Sequence, residues 1–166
     1  GDVVFTGSGS FNLAPWTGPN VIGEVSRIEP SNPSVLVGIA PGVSVDRYVD
    51  PGNRAGPANF GSGGITNASS ATGDLFGILS SFNLDVPENY VSGAALSGSA
   101  TYVGATFASL GMTPGSYTWT WGSGTEADSL TLNVGSTAPT QVPTMSIYAL
   151  ILTISGLLFV AIRRLR

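Results

Sequence analysis

The sequence predicts a mainly β protein: an antiparallel β-sandwich of the jelly-roll or immunoglobulin-like kind, followed by one C-terminal transmembrane α-helix. Short runs of alternating or β-branched apolar residues recur as far as Val134, which is typical of strands. Gly, Pro, Asn and Ser separate these runs, and many short strands with such turns favour a sandwich. A long apolar segment then ends the chain. We therefore expect a β domain over residues 1–134, a linker over 135–142 and a helix over 143–166.

The candidate strands share high β propensity and turn residues at their ends. They are residues 3–6, 10–13, 21–28, 35–39, 43–49, 75–86, 99–107, 116–121 and 129–134. The last two predict the clearest hairpin. Tyr117, Trp119 and Trp121 share one face of their strand, because side chains alternate with a period of two, and residues 129–134 repeat this alternation. Residues 53–73 contain few large apolar residues and predict a long surface loop that touches a partner.

The closing segment has the length and composition of a membrane span. Residues 145–162 contain no charged side chain, and at about 1.5 Å per residue they reach roughly 27 Å, close to the hydrocarbon thickness of a bilayer. Tyr148 and the basic Arg163, Arg164 and Arg166 mark the membrane interface, and basic residues beside a span stay cytoplasmic. We therefore expect the lipid bilayer as a partner and the β domain on the periplasmic or extracellular side. That placement requires export, so we expect that a signal segment has been removed before Gly1.

Small side chains lie at helical spacing within the predicted span. Ser146, Ala149, Thr153 and Gly156 are three or four positions apart and share one helix face. Such a stripe lets another helix approach closely, although these residue types are also ordinary in single spans. The stripe predicts an integral membrane protein as a second partner.

The start of this segment resembles a known class of sorting signals. Val142-Pro143-Thr144-Met145-Ser146, the apolar span and the Arg-rich end together resemble the IPTL-CTERM and PEP-CTERM C-terminal segments of exported bacterial proteins. Val142 and Met145 stand where that motif has Ile and Leu, and Tyr148 stands where Trp is usual. The resemblance implies a bacterial protein whose tail is processed by a membrane sorting enzyme near the Pro motif.

A second resemblance lies in the β region. Residues 86–93, 105–122 and 128–132 are similar to the closing segment of many exported bacterial proteins that carry such anchors. This similarity implies a β-rich exported domain and supplies no catalytic residues.

Composition excludes several kinds of chemistry. The chain has no His, no Cys and no Lys, which excludes Ser-His-Asp and Cys-His nucleophiles, lysine Schiff bases, thiolate or imidazole zinc sites and Gly-Lys phosphate loops. The residues before the span carry a formal charge of −7 and the tail +3, within a net charge of −4. An acidic domain repels phosphate backbones, so we expect no nucleic acid partner. We also expect no enzyme activity and no cofactor.

Acidic side chains leave two alternatives open. A carboxylate pair could run glycoside hydrolysis, although no spacing singles out a pair; the candidates are Glu24, Glu29, Asp46, Asp50, Asp74, Glu126 and Asp128. Asp46, Asp50 and Asn53 surround a turn and offer the oxygen ligands that Ca²⁺ prefers. Asp and Asn at turns more often bond their own backbone, so we expect no metal.

Aromatic side chains offer a further alternative. Trp119 and Trp121 with Tyr117, or Trp16, could form a flat platform for sugars, but aromatics on one strand face are usually core residues. We favour the core and keep a glycan as the last of the partner hypotheses. Asn67-Ala68-Ser69 fits a glycosylation acceptor, a motif that is common by chance.

These observations favour a non-catalytic, single-pass membrane protein that acts as an accessory subunit of a larger membrane assembly, such as a photosynthetic or respiratory complex. The alternative is an exported surface or extracellular-matrix protein whose C-terminal segment is a sorting signal. A glycan-binding module is the third hypothesis.

Overall fold

Antiparallel sheets make up the regular structure of the chain, as its alternating pattern predicts. The computed structural model describes residues 1–39, 42–49, 51–80 and 82–135, and Gly1–Gly135 form one compact unit. The strands are β1 (Val3–Gly9), β2 (Thr17–Glu24), β3 (Arg27–Glu29), β4 (Ser34–Val37), β5 (Val43–Val49), β6 (Thr66–Asn67), β7 (Ser70–Gly73), β8 (Phe76–Leu79), β9 (Asn83–Pro87), β10 (Leu96–Tyr102), β11 (Gly115–Trp121) and β12 (Asp128–Val134). A short 3₁₀ turn at Gly124–Glu126 links the last two strands. The mainly β prediction is confirmed.

The strands form three sheets. The largest has the order β2-β5-β9-β8-β4-β3-β6, the second has the order β1-β10-β7, and β11 pairs with β12 in the third. The principal core contains buried side chains from all three sheets, including Phe5 of β1, Phe76 of β8 and Trp119 of β11. Each sheet therefore turns one apolar face to a shared interior.

The seven-stranded sheet must curl, because β2 and β3 are consecutive in the chain and far apart in the sheet. Five strand spacings of about 4.8 Å would separate them by roughly 24 Å if the sheet were flat. The link from Glu24 to Arg27 is three residue steps, which span at most about 11 Å. The two ends of the sheet therefore approach each other, and the face opposite the principal core encloses a second small cluster formed by Leu36, Val45, Leu75 and Leu79.

Several strand boundaries differ from the predicted ones. Residues 10–13 form no strand, and the single strand predicted over 21–28 is broken at Val25 and Ser26, where the chain passes from β2 to β3. The predicted strand over 75–86 is the hairpin of β8 and β9. Apolarity alone does not mark where a chain turns.

The predicted surface loop over 53–73 is only partly a loop. It contains β6 and β7, which add to the edges of two sheets, and Phe60 is fully buried in the principal core. Ser, Thr and Gly at these positions gave no strand signal, because the pairing edge of β10 rather than local propensity holds β7 in place.

The predicted transmembrane segment lies outside the described residues. So do the predicted linker from residue 136, the sorting-like motif, the small-residue stripe and the terminal arginines. In the described part of residues 1–135, no helix is long and apolar enough to cross a bilayer.

Candidate functional site

Four charged side chains meet on the enclosed face of the seven-stranded sheet. Arg47 of β5 donates from Nε to Asp85 Oδ1 at 2.7 Å and from Nη2 to Asp85 Oδ2 at 2.6 Å, so the pair is bidentate. The same Nη2 donates to Glu24 Oε1 at 2.5 Å, and Glu24 also pairs with Arg27. Two acids and two arginines balance in charge, which makes their burial tolerable.

The register of the sheet explains why these residues meet. Arg47 lies directly opposite Asp85 in the β5–β9 pair, so both side chains point to the same face. Glu24 ends β2 and contacts Arg47, and Arg27 begins β3 and contacts Glu24. The side chain of Asp85 has no exposed surface, and that of Glu24 is 7% exposed.

Burial and ion pairing shift the two acids in opposite directions. Burial by itself would raise the pKa of Glu24, but hydrogen bonds and positive charge from Arg27 and Arg47 outweigh it, so this pKa lies below its ordinary value. Burial raises the pKa of Asp85 above its ordinary value, and the contact with Arg47 offsets this only in part. Hydrogen bonds from Arg47 to Asp85 keep the pKa of that guanidinium raised and its charge permanent.

This cluster is poorly suited to hydrolytic chemistry. Glu24 and Asp85 share one arginine nitrogen, so they are close enough to suggest a carboxylate pair. Both are buried, and neither lines the two surface grooves described in this structure. An acid that must reach a substrate needs access that these two lack. The cluster is best understood as a structural element.

The remaining acidic candidates are dispersed and mostly hydrogen bond to backbone. Asp46 Oδ2 accepts from the Asn89 amide at 2.8 Å, Asp74 Oδ2 from the Ser97 amide at 2.9 Å, and Asp128 Oδ2 from the Asn12 amide at 2.8 Å. Glu29 accepts a long hydrogen bond from Asn32, and Glu126 lies in the 3₁₀ turn.

The calcium candidates are only partly described. Asp46 is buried and hydrogen bonded to Asn89, Asn53 has a φ of 35°, and Asp50 lies outside the described residues. Within the described ranges, no three Asp or Glu side chains are grouped so that they could hold a metal ion. Nothing in this geometry adds support for a calcium site.

The tryptophans lie in the core and not on a platform. Trp119 and Trp121 are each 1% exposed and Trp16 is 8% exposed. Trp16 and Trp121 pack edge to face with ring centroids 5.2 Å apart. The favoured core interpretation is therefore correct for all three indoles, and a flat sugar-binding surface cannot be made from them. Asn67 of the glycosylation motif is exposed on β6.

A groove of about 320 Å³ lies between β1 and β12. One wall is the chain from Thr6 to Ser10 and the other is the chain from Ser129 to Leu132. Phe11, Phe76 and other core residues form its floor, and no charged residue lines it. The groove therefore leads from the surface toward the principal core between two strands of different sheets.

Both walls are unpaired strand edges. β1 pairs only with β10, and β12 pairs only with β11, among the strands of the described ranges. The wall on β1 reads Thr6-Gly7-Ser8-Gly9-Ser10, so small side chains leave its backbone accessible. A Cβ at Gly7 would lie 2.9 Å from the Phe76 ring, so a larger residue there would force that ring to shift.

Three other sheet edges in the described structure, those of β2, β6 and β11, are protected. β11 forms hydrogen bonds in both directions with Ala55, at 2.7 and 2.9 Å. β6 is two residues long, and β2 contains Pro19 and a register irregularity. Proteins commonly protect edges by shortening, Pro, bulges or charge. The walls of the groove carry none of these protections.

Sequence comparison identifies no relative: no family model, no curated protein and no solved structure matches this chain. The resemblance of residues 142–166 to bacterial sorting segments stays a prediction.

The groove and the ion cluster were not predicted from sequence. Asp85 is absent from the acidic candidates, although its place in the apolar run Leu84-Asp85-Val86 is a usable signal, since a charge between two core residues needs a partner. The groove has no such signal, because it depends on which edges stay unpaired.

Proposed function

We propose that the chain is a non-catalytic, exported bacterial protein that binds another protein through its β domain and is tethered to a membrane by residues 143–166. The observation that carries this proposal is the uncharged groove between the unpaired edges of β1 and β12. Glu24 and Asp85, the two acids that lie close enough to suggest a carboxylate pair, are neutralised by arginines within the ion cluster. What remains accessible is a surface suited to association.

In this proposal the domain is a β-sandwich. Its principal core is shared by the outer face of the curled sheet and by the inner faces of the other two sheets, which is the layering that a sandwich requires. The composition and the resemblance of the tail support a location on the periplasmic or outer face, with the arginines of the tail in the cytoplasm. The favoured role is an accessory subunit of a membrane assembly.

The second candidate function is an exported surface or matrix protein whose tail is only a sorting signal. The sorting-like motif at residues 142–146 favours it. The outward faces of β1, β7 and β10 and of the β11–β12 hairpin also support an exposed surface role, because they are rich in hydroxyl groups and poor in charge. Pairs such as Thr118 and Thr131, with hydroxyl oxygens 2.9 Å apart, illustrate this surface.

Membrane attachment is tested with the full chain carrying an N-terminal export signal in a bacterial host. We expect the protein in carbonate-washed membranes, with the β domain digested by protease added to spheroplasts and the C-terminal arginines protected. The control variant Leu150→Arg/Leu157→Arg places charges within the apolar segment and should release the protein into the soluble fraction. Equal retention of both proteins in the membrane would contradict tethering by this segment.

Mass spectrometry of the retained material separates the two candidate functions. A tethered subunit keeps Arg163, Arg164 and Arg166, whereas a sorting signal is removed near Pro143 and the truncated domain enters the medium. If the small-residue stripe packs on a partner helix, Ala149→Leu/Gly156→Leu should weaken co-purification while leaving membrane retention intact. Unchanged co-purification would remove the stripe from the proposal.

A further inference from the structure

The groove between β1 and β12 is bordered on each side by a strand edge that has no paired neighbour in the described structure. Two strand edges separated by a single strand lie roughly 9.6 Å apart, since neighbouring strands are about 4.8 Å apart. An extended segment placed between them could form backbone hydrogen bonds on both sides. Its side chains would alternate between the floor and the solvent.

The chemistry of the lining restricts the occupant. Inward-facing residues around the groove are apolar, including Phe5, Leu130 and Leu132, while outward-facing neighbours such as Thr6 and Thr131 carry hydroxyls. A charged side chain on the inward face would meet no partner in this lining and would lose its hydration. The side chains of the occupant that face inward are therefore uncharged and apolar.

Edge protection is the second argument that something occupies the groove. Long unprotected edges promote association between chains, and proteins remove or cover them. In the described structure the edge of β2 is protected by Pro19 and a register irregularity, that of β6 by its short length and that of β11 by hydrogen bonds with Ala55. The two edges that face the groove have no such protection. An occupant that pairs with both edges at once would leave neither of them open.

We propose that this groove binds a short, extended, uncharged segment of a separate protein, which adds as a strand between β1 and β12. The proposal rests on the protein-binding role proposed above and specifies the partner as a strand donor. A separate protein is favoured over residues 136–142 of the same chain, because Pro139 in that segment lacks the backbone N–H that a strand paired on both sides needs.

The test uses the full chain in mild detergent and the peptide acetyl-Thr-Val-Thr-Val-Thr-amide, with binding followed by isothermal titration calorimetry. We expect saturable binding. The control peptide acetyl-Thr-Pro-Thr-Pro-Thr-amide has a similar composition but lacks alternate N–H donors, and it should not bind. Absence of saturable binding of the first peptide, or equal binding of both peptides, would overturn the proposal.

Two neighbouring substitutions locate the site. Leu130→Arg places a charge in the groove and should weaken binding of the first peptide about tenfold or more, equivalent to ~1.4 kcal/mol. Asn133→Arg introduces the same side chain at an exposed position of β12 that does not line the groove, and it should change binding less than about twofold. Equal effects of the two substitutions would contradict binding between β1 and β12. Melting curves of both variants verify that each is folded.

Other occupants give distinct results. If residues 136–142 fill the groove, the native chain fails to bind the peptide and a chain with Gly and Ser at these positions gains binding. If a second copy fills it, light scattering shows a dimer that Leu130→Arg dissociates. Either result overturns the separate-partner proposal. Loss of membrane retention with intact peptide binding would refute only the tethering, and the reverse would refute only the strand donor.

Discussion

The enclosed face of the curled sheet and the groove between β1 and β12 differ in whether their polar groups have partners within the protein. On the enclosed face, Glu24, Arg27, Arg47 and Asp85 satisfy one another within the protein. Along the groove, the backbone edges of two strands have no partner strand in the described part of the chain. The strongest interactions of the domain are therefore internal, and its capacity for association lies in ordinary peptide groups at two edges.

The largest effect is expected from removing the central cation of the enclosed face. Arg47→Met leaves Glu24 and Asp85 buried beside a single arginine, and breaking a buried ion pair in this way costs about 3–5 kcal/mol. Urea denaturation should show this loss in the free energy of unfolding. Adding Asp85→Asn should recover part of it, because the fully buried negative charge is then removed. Glu88→Met, at an exposed acid outside the cluster, is the control and should cost less than about 1 kcal/mol.

A smaller effect is expected from acid. Because the folded pKa of Glu24 lies below its ordinary value of 4.5, its contribution is present above that value and is lost as pH falls through the folded pKa. Asp85 has the opposite sign: its raised pKa makes its contribution greatest below 3.8 and removes it as pH rises through the folded pKa. Glu24→Gln should therefore lose stability less steeply than the native protein below about pH 4.5.

Urea midpoints measured between about pH 3 and pH 7 test this assignment. The exposed Glu88→Gln is the matched control, and its curve should follow that of the native protein. A Glu24→Gln curve parallel to the native one would show that Glu24 is not responsible for the acid dependence.

A substitution in the principal core extends the comparison to a polar atom without a partner. The Tyr102 hydroxyl is buried and makes no hydrogen bond in the described structure, and burial raises the pKa of this phenol. A buried unsatisfied hydroxyl is destabilising, so Tyr102→Phe should raise the free energy of unfolding by roughly 1 kcal/mol. Thermal and urea denaturation measure the change. A loss of stability would show that the hydroxyl has a partner.

The smallest effect is expected on the hydroxyl-lined surface beside the groove. Thr131→Lys should change the free energy of unfolding by no more than about 0.5 kcal/mol, because the side chain is exposed and its hydrogen bond to Thr118 is a surface contact. Leu130→Lys is the matched comparison and should cost more, since Leu130 packs against the core. A larger cost at Thr131 would mean that this face is covered.

The sequence predicts the parts of the fold that depend on local patterns. The β11–β12 hairpin has the predicted faces, with Trp119 opposite Leu130 and Thr118 opposite Thr131. The curl and the ion cluster depend on Arg47 meeting Asp85 across 38 positions of the chain, and no local period records that register. The groove exists because β1 and β12 each lack a second paired strand in the described structure, and the lack of a neighbouring strand leaves no pattern in the sequence.

Amide hydrogen exchange on the full chain tests most directly whether the two regions differ as proposed. Without ligand, residues 6–10 and 129–132 should exchange rapidly on the amides that face the groove, while β5 and β9 should be protected. Saturating acetyl-Thr-Val-Thr-Val-Thr-amide should slow exchange at both groove walls and leave β5 and β9 unchanged. Slow exchange of both walls before the peptide is added, or protection of only one wall afterwards, would contradict an open site for a strand between β1 and β12.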